Sequence, residues 1–102
     1  MEIVELSQDD ILIFKLKGRL DTQTSPDFEA KILSAINDGR TVIHVDLKEV
    51  EYISSAGIRV ILKAYKNIKE LDGRFVICSM GGYVKEVFEA AFPPHMLPLD
   101  SG

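Results

Sequence analysis

Thr41-Val42-Ile43-His44-Val45-Asp46-Leu47 and, a few residues on, Tyr52-Ile53-Ser54-Ser55-Ala56-Gly57-Ile58-Arg59-Val60-Ile61-Leu62 are the two stretches that decide how this chain folds. The first is a nearly continuous apolar run, the pattern of an interior strand. Beyond Gly57 the period changes: Ile58, Ile61, Leu62, Tyr65 and Ile68 recur three and four residues apart. That spacing predicts an amphipathic helix, and Asp72-Gly73 stops it. A strand feeding a helix through a short turn is the repeating unit of α/β proteins.

Working outward in the C-terminal direction, Arg74 to Ser79 reads as a second buried strand. Gly81-Gly82 then turns the chain into a short helix carrying Val84, Val87, Phe88 and Ala91 on one side. Phe92-Pro93-Pro94 ends that helix, and His95 to Leu99 is expected as a last edge strand. In the other direction, Ser25 is a natural N-cap, with Pro26 suited to the first helical position and Asp27 and Glu29 to the positive end of the dipole. Phe28, Ile32 and Ile36, flanked by Leu33 and Ala35, give this helix its apolar face, and Asp38-Gly39 closes it. From Ile11 to Lys17 the residues alternate: Leu12, Phe14 and Leu16 point one way, Ile13, Lys15 and Lys17 the other. Ile3 to Leu6 is a shorter strand, Gln8-Asp9-Asp10 a turn, and Gly18 is expected to end the second strand. The whole predicts one α/β domain over residues 1–102: a mixed sheet opened by an N-terminal hairpin, with helices mainly on one face.

Composition agrees with one small globular domain. The 102 residues are 46% hydrophobic and 27% charged, enough to bury a core and too few for two domains. The net charge of −4 and the scattered basic residues exclude an electrostatic footprint for nucleic acid. No run approaches the roughly 20 apolar residues of a membrane span, and the N-terminal residues do not read as a secretion signal. The lone Cys78 has no partner for an internal disulfide and reads as a buried small hydrophobe; no Cys/His spacing suggests zinc. A cytoplasmic protein without a cofactor of its own is expected.

In open α/β sheets, ligands and partners meet the protein beyond the carboxyl ends of strands. Two such junctions stand out: Gly18-Arg19-Leu20-Asp21, and Tyr52 to Gly57. In the second, four small residues in a row, Ser54 to Gly57, allow close approach of another backbone or a compact group. Two hydroxyls there lie at the mouth of a helix, where N–H groups and the dipole favour negative charge. Phosphate on Ser54 or Ser55 would meet a setting suited to anions, adding about −1.5 to −2 charges while leaving the helix intact. A plain N-capping serine explains the same residues. Asp46 either ends its strand or satisfies nearby backbone, and Arg59 is either a phosphate partner or a solvated helix residue.

Catalysis finds little support. A nucleophilic Ser55 needs a base and an orienting acid, yet only His44, within a strand, and His95, after two prolines, are available. No Gly-x-Ser-x-Gly elbow occurs, and Gly81-Gly82 lacks the rest of a phosphate loop. Tyr83, Phe88 and Phe92 read as core or hinge packing. The expectation is a binding module and not an enzyme.

The segment from Val45 to Leu62, with Asp46-Leu47 and Tyr52-Ile53-Ser54-Ser55-Ala56-Gly57-Ile58 at its centre, resembles the signature of the STAS domain as found in bacterial anti-sigma factor antagonists. Gly18-Arg19-Leu20-Asp21 resembles that family's Gly-x-Leu-Asp turn, and the order of elements agrees along nearly the whole chain. The resemblance implies a partner-switching cycle. An unphosphorylated module binds an anti-sigma factor serine kinase, is released when the kinase phosphorylates it, and is reset by a metal-dependent serine phosphatase; ATP belongs to the kinase. Aligning the family's Asp-Ser-Ser-Gly-Leu motif on its glycine places the phosphoacceptor on Ser55, with Ser54 in the position of the aspartate and a second candidate. Gly57 and Ile58 match the Gly-Leu pair, and Asp21, Ser54, Ala56, Gly57 and Ile58 become partner-contact candidates; for Asp21, ordinary turn chemistry is the equal reading. Ser54 departs from the family's acidic residue, and the usual C-terminal helix has no counterpart before Gly102. The same resemblance admits another role, a regulatory or structural subunit of a transporter or signalling assembly.

Overall fold

The computed structural model describes residues 1–91. Seven elements follow one another: β1 (Glu2–Gln8), β2 (Ile11–Leu20), α1 (Ser25–Asn37), β3 (Val42–Ile53), α2 (Ser55–Glu70), β4 (Arg74–Met80) and α3 (Gly82–Ala91). One four-stranded sheet in the order β1-β2-β3-β4 joins the strands. β1 pairs antiparallel with β2, with Ile3 opposite Leu16 and Leu6 opposite Ile13. β2–β3 and β3–β4 are parallel. This is the mixed α/β sheet with an N-terminal hairpin that the periodicity predicts. The expected strand at His95–Leu99 and the helix stop at Phe92-Pro93-Pro94 lie outside the described residues.

Register explains the core. Leu12 stands beside Ile43 and Phe14 beside Val45, while Ile43 stands beside Phe75 and Val45 beside Ile77. All seven of these side chains, Leu16 included, are buried. Helices α1 and α2 cover this face, and α3 adds Val84 and Phe88 to the same core. Phe28 of α1 meets Phe14 edge-on at 5.9 Å between ring centroids, and Tyr65 of α2 meets Phe75 in the same manner at 6.2 Å. Phe28, Ile32 and Ile36 are all buried, so the four-residue spacing identified the face of α1 correctly. The opposite face is open along the hairpin, where Val4 and Leu6 remain 37% and 43% exposed, whereas Val76 on β4 is buried. β3 is interior by its place in the sheet, with Ile43, Val45 and Leu47 buried on one face and Val42, His44 and Asp46 half-buried on the other.

Several expectations need correction. Gly18 does not end β2, which runs on to Leu20; at φ +110° it takes a conformation open to glycine, beside an irregularity in the pairing with β3. The N-cap of α1 is Thr24, and Ser25 is already helical and buried. In α2 the buried residues are Gly57, Val60, Ile61, Ala64 and Ile68; Ile58, Leu62 and Tyr65 are only half-buried. The helix has a second apolar flank, and periodicity alone does not say which flank meets the sheet. In α3, Val84 and Phe88 are buried, Ala91 is exposed, and Tyr83 is 51% exposed, which removes it from the core. Cys78 is half-buried rather than buried.

Phe28 sits at the contact of α1 with the sheet and is fully buried. Phe28→Ala is expected to cost about 3–5 kcal/mol, read as a lowered urea midpoint at unchanged slope.

Candidate functional site

The parallel pairing of β2 and β3 brings the two junctions together. Leu20 and Ile53 are the last register pair, and the Ser54 N–H then donates to the Leu20 carbonyl at 2.9 Å. The Asp21 turn and the Ser54–Ser55 turn thus emerge side by side at the carboxyl ends of their strands.

The first turn is saturated by its own side chains. Asp21 Oδ1 accepts the backbone N–H groups of Gln23 at 3.0 Å and Thr24 at 3.1 Å. The Thr24 hydroxyl accepts the Asp21 N–H at 2.9 Å and donates to the Arg19 carbonyl at 2.7 Å. Ser25 N–H donates to the Asp21 carbonyl at 2.9 Å. Bonding to Gln23 N–H foremost, then to Thr24, holds the Asp21 carboxyl below its ordinary value of 3.8. Arg19 Nε lies 3.9 Å from Asp21 Oδ2. Asp21 therefore serves its own turn while its side chain stays a quarter exposed, so the turn and partner-contact readings are compatible.

The second turn is built differently. Ser54 has the extended backbone of an N-cap, φ −99° and ψ 173°, and its carbonyl takes the first helical bond from Ile58 N–H at 3.1 Å. Yet its hydroxyl makes no cap bond; Oγ is buried and unpartnered among the described residues. Ser55, the next residue, is exposed at the first position of α2. The first turn of α2 holds no acidic residue to offset its positive end. Gly57 is required by proximity: a Cβ there would stand 2.8 Å from Leu20 Cγ and 3.0 Å from Ile53 Cγ1. Ala56 and Ile58 are half-buried beside it, and Arg59 is exposed one turn after Ser55.

Other candidates fall away from this site. His44 lies mid-strand, paired with Ile13 and Val76, whereas Ser55 lies beyond the strand's end. Asp46 is mid-strand too, where its Oδ1 accepts Lys48 N–H at 2.9 Å beside a register shift. His95 lies outside the described residues. Among those described, no cluster of three or more His, Cys, Asp or Glu could hold a metal ion, and no helix is long and apolar enough to cross a membrane.

Sequence reasoning missed a stacked group beside the site. Arg19 Cζ lies 4.3 Å from the centroid of the Tyr52 ring, and Tyr52 stacks on Tyr83 at 6.2 Å and 17°. Arg19 and Tyr52 are register partners, but Tyr83 arrives from α3. Only the pair on the parallel strands had a signal, the shared position one residue before Leu20 and Ile53.

The STAS domain profile matches residues 3–97. The chain belongs to the STAS domain family. BtrV of Bordetella bronchiseptica, provisionally assigned as an anti-sigma factor antagonist, is 35% identical over 81 residues, 79% of this chain and 70% of BtrV. The anti-sigma-B factor antagonist of Staphylococcus aureus is 24% identical over 102 residues, covering 100% of this chain and 94% of that protein. Among solved structures, unphosphorylated SpoIIAA, an anti-sigma factor antagonist, superposes with a TM-score of 0.79 at 19% identity, covering 99% of this chain and 89% of that one. Phosphorylated SpoIIAA, from Bacillus, gives 0.78 at 19% identity, with 98% and 92% covered. The STAS fold expected from the resemblance is thus the fold observed.

The lowered Asp21 carboxyl makes a pH prediction for this STAS domain. A carboxyl depressed in the folded state stabilises it above the unfolded value, and that contribution is lost as pH falls through the folded value. The melting temperature of the native chain should therefore exceed that of Asp21→Asn at pH 6, with the gap closing progressively below about pH 4. A gap that stays constant to pH 2.5 would remove the charge from the account.

Proposed function

We infer that this STAS domain is an anti-sigma factor antagonist, a binding module and not a catalyst, switched by reversible phosphorylation of Ser55. The observation that carries the reading is the contrast between neighbouring serines: the Ser55 side chain is exposed at the start of α2, while Ser54 Oγ is buried. A kinase can reach the first; the second serves the turn. The proposed partner is an anti-sigma factor of the serine-kinase type, which meets Asp21, Ala56 and Ile58 around the unmodified hydroxyl; the sequence-based contact candidates Ser54, with its Oγ buried, and Gly57, buried against Leu20 and Ile53, hold the turn beneath it.

In the proposed cycle the kinase brings ATP. Its γ-phosphoryl passes to Ser55 Oγ, the bond to the ADP oxygen breaks, and the hydroxyl proton leaves to a base on the kinase. A metal-dependent serine phosphatase then directs water at the phosphoserine, restoring the hydroxyl and releasing inorganic phosphate. The modified residue sits where backbone N–H groups and the dipole of α2 favour an anion, and where Arg59 is one turn away. The fold has no reason to change. In support, SpoIIAA has been solved in both forms, and the two resemble this fold equally, at TM-scores of 0.79 and 0.78. What changes is the charge presented to the partner, and an interface matched to a neutral hydroxyl opposes a dianion.

Intact-mass analysis of the protein from its own cells, with fragmentation across Ser54–Ser55, tests the acceptor. A population with one phosphate on Ser55 is expected; phosphate on Ser54 alone would move the acceptor. Binding to the co-purified kinase partner tests the switch: Ser55→Ala should bind as the native protein does, and Ser55→Glu at least tenfold more weakly. Equal affinity of the three, in a stoichiometric complex with no phosphate under any growth condition, would replace the switch with a permanent-subunit role.

A further inference from the structure

A groove of about 540 Å³ runs between α1 and α2, starting at Ala56 beside the switch serine. Its apolar side is made by Pro26, Ala56, Val60 and Leu62. Arg59, Lys63 and Lys66 line it as well, all three exposed. They recur at i, i+4 and i+7 along α2, so their charges extend over roughly 10 Å of one helical ridge. Glu29 is the single carboxylate in the lining, and Lys63 Nζ holds it at 3.2 Å. Arg59 and Lys66 are left facing solvent in a chain whose net charge is −4. Ser25 forms part of the groove's floor, only 2% exposed, with its Oγ buried and without a hydrogen-bond partner among the described residues.

We propose that this groove receives an acidic amphipathic helix of the protein partner, apolar face down on Pro26, Val60 and Leu62, carboxylates against Arg59 and Lys66. The inference rests on Ser55 being the switch only for its coupling to that residue. A helix laid between two helices presents side chains at the same i, i+4, i+7 spacing as the cations it meets. Continuity with the partner surface runs through Ala56, and Ser55, Arg59, Leu62 and Lys66 follow one line of α2 at i, i+4, i+7 and i+11. A dianion on Ser55 therefore engages Arg59 and repels the incoming carboxylates, so the switch acts on the groove as well as on the turn.

The probe is a synthetic helix-stapled peptide of about 14 residues, roughly four turns, with leucines along one stripe and glutamates flanking it. Its control carries lysine in place of every glutamate. Each is titrated into the isotopically labelled full chain and followed by amide chemical shifts. The glutamate peptide should move Thr22, Ala56, Arg59, Lys63 and Lys66, bind at least tenfold tighter than its control, and weaken as salt is raised to about 0.3 M. The double variant Arg59→Glu/Lys66→Glu should lose that preference, and Ser55→Glu should bind the glutamate peptide at least threefold more weakly than the native chain. Equal binding of both peptides, or shifts centred on Val4 and Leu6 of the open sheet face, would overturn the groove. Unchanged affinity in Ser55→Glu would overturn its coupling to the switch. Neither arm needs a kinase, so the groove can fail while the Ser55 reading stands, and the reverse.

Discussion

The site depends on one backbone hydrogen bond, from Ser54 N–H to the Leu20 carbonyl at 2.9 Å, and on the close approach it enforces. Parallel strands can end together only if something terminates both at the same level. Here the bond follows the last register pair, Leu20 with Ile53, and both side chains of that pair are buried. Gly57 then brings the first turn of α2 down on them, with no room for a Cβ against Leu20. The hydrogen bond sets the height of the two turns, and the missing side chain sets the depth of the helix. Ser55 stands exposed between Ser54, bonded to Leu20, and Gly57, packed on Leu20 and Ile53.

The two helix starts at this edge illustrate opposite uses of the same physics. At α1 the approach is closed from within: Asp21 accepts the N–H groups of Gln23 and Thr24 just before the helix, its carbonyl accepts the Ser25 N–H, and Asp27 adds a charge in the first turn. At α2 neither device is present, since the Ser54 hydroxyl caps nothing and no acidic residue follows. Neither N-cap side chain bonds its own helix, but carboxylates already offset the positive end of α1, while that of α2 keeps its capacity for an external anion. The strands end side by side, but four residues lead from β2 to α1 and only Ser54 leads from β3 to α2.

Most of the architecture was legible from hydrophobic period, because burial on a single face leaves a period of two in β2 and of about four in α1. Signals that mark a boundary were less reliable than signals that mark a face. Gly18 reads as a strand end, yet a glycine at φ +110° serves equally to carry a strand through an irregularity. Ser25 reads as an N-cap, yet Thr24 takes that position and turns its hydroxyl to Arg19 and Asp21. The junctions themselves were legible because small residues before an apolar helical stripe have few uses. The stack of Arg19, Tyr52 and Tyr83 was not, since it joins three elements distant in sequence. The α1–α2 groove was hidden for a related reason: the residues lining it belong to two helices whose mutual placement only packing decides.

The free energy a switch of this kind requires is small. A hundredfold change in affinity is about 2.7 kcal/mol, and like charges brought together at an interface cost several kcal/mol. One phosphate at an exposed serine can supply that without moving a strand, provided the partner's surface comes close. Close approach is what the small side chain of half-buried Ala56, beside Ser55, permits and what a bulkier one would forbid. The economy also explains why so rigid a site can be regulatory. Phe14, Phe28 and Ile61 are fully buried, so the proposed response to phosphate is one of charge at the surface. A conformational switch would need a second packing of that core within a few kcal/mol of the first; an electrostatic one needs only an accessible hydroxyl held at a fixed height.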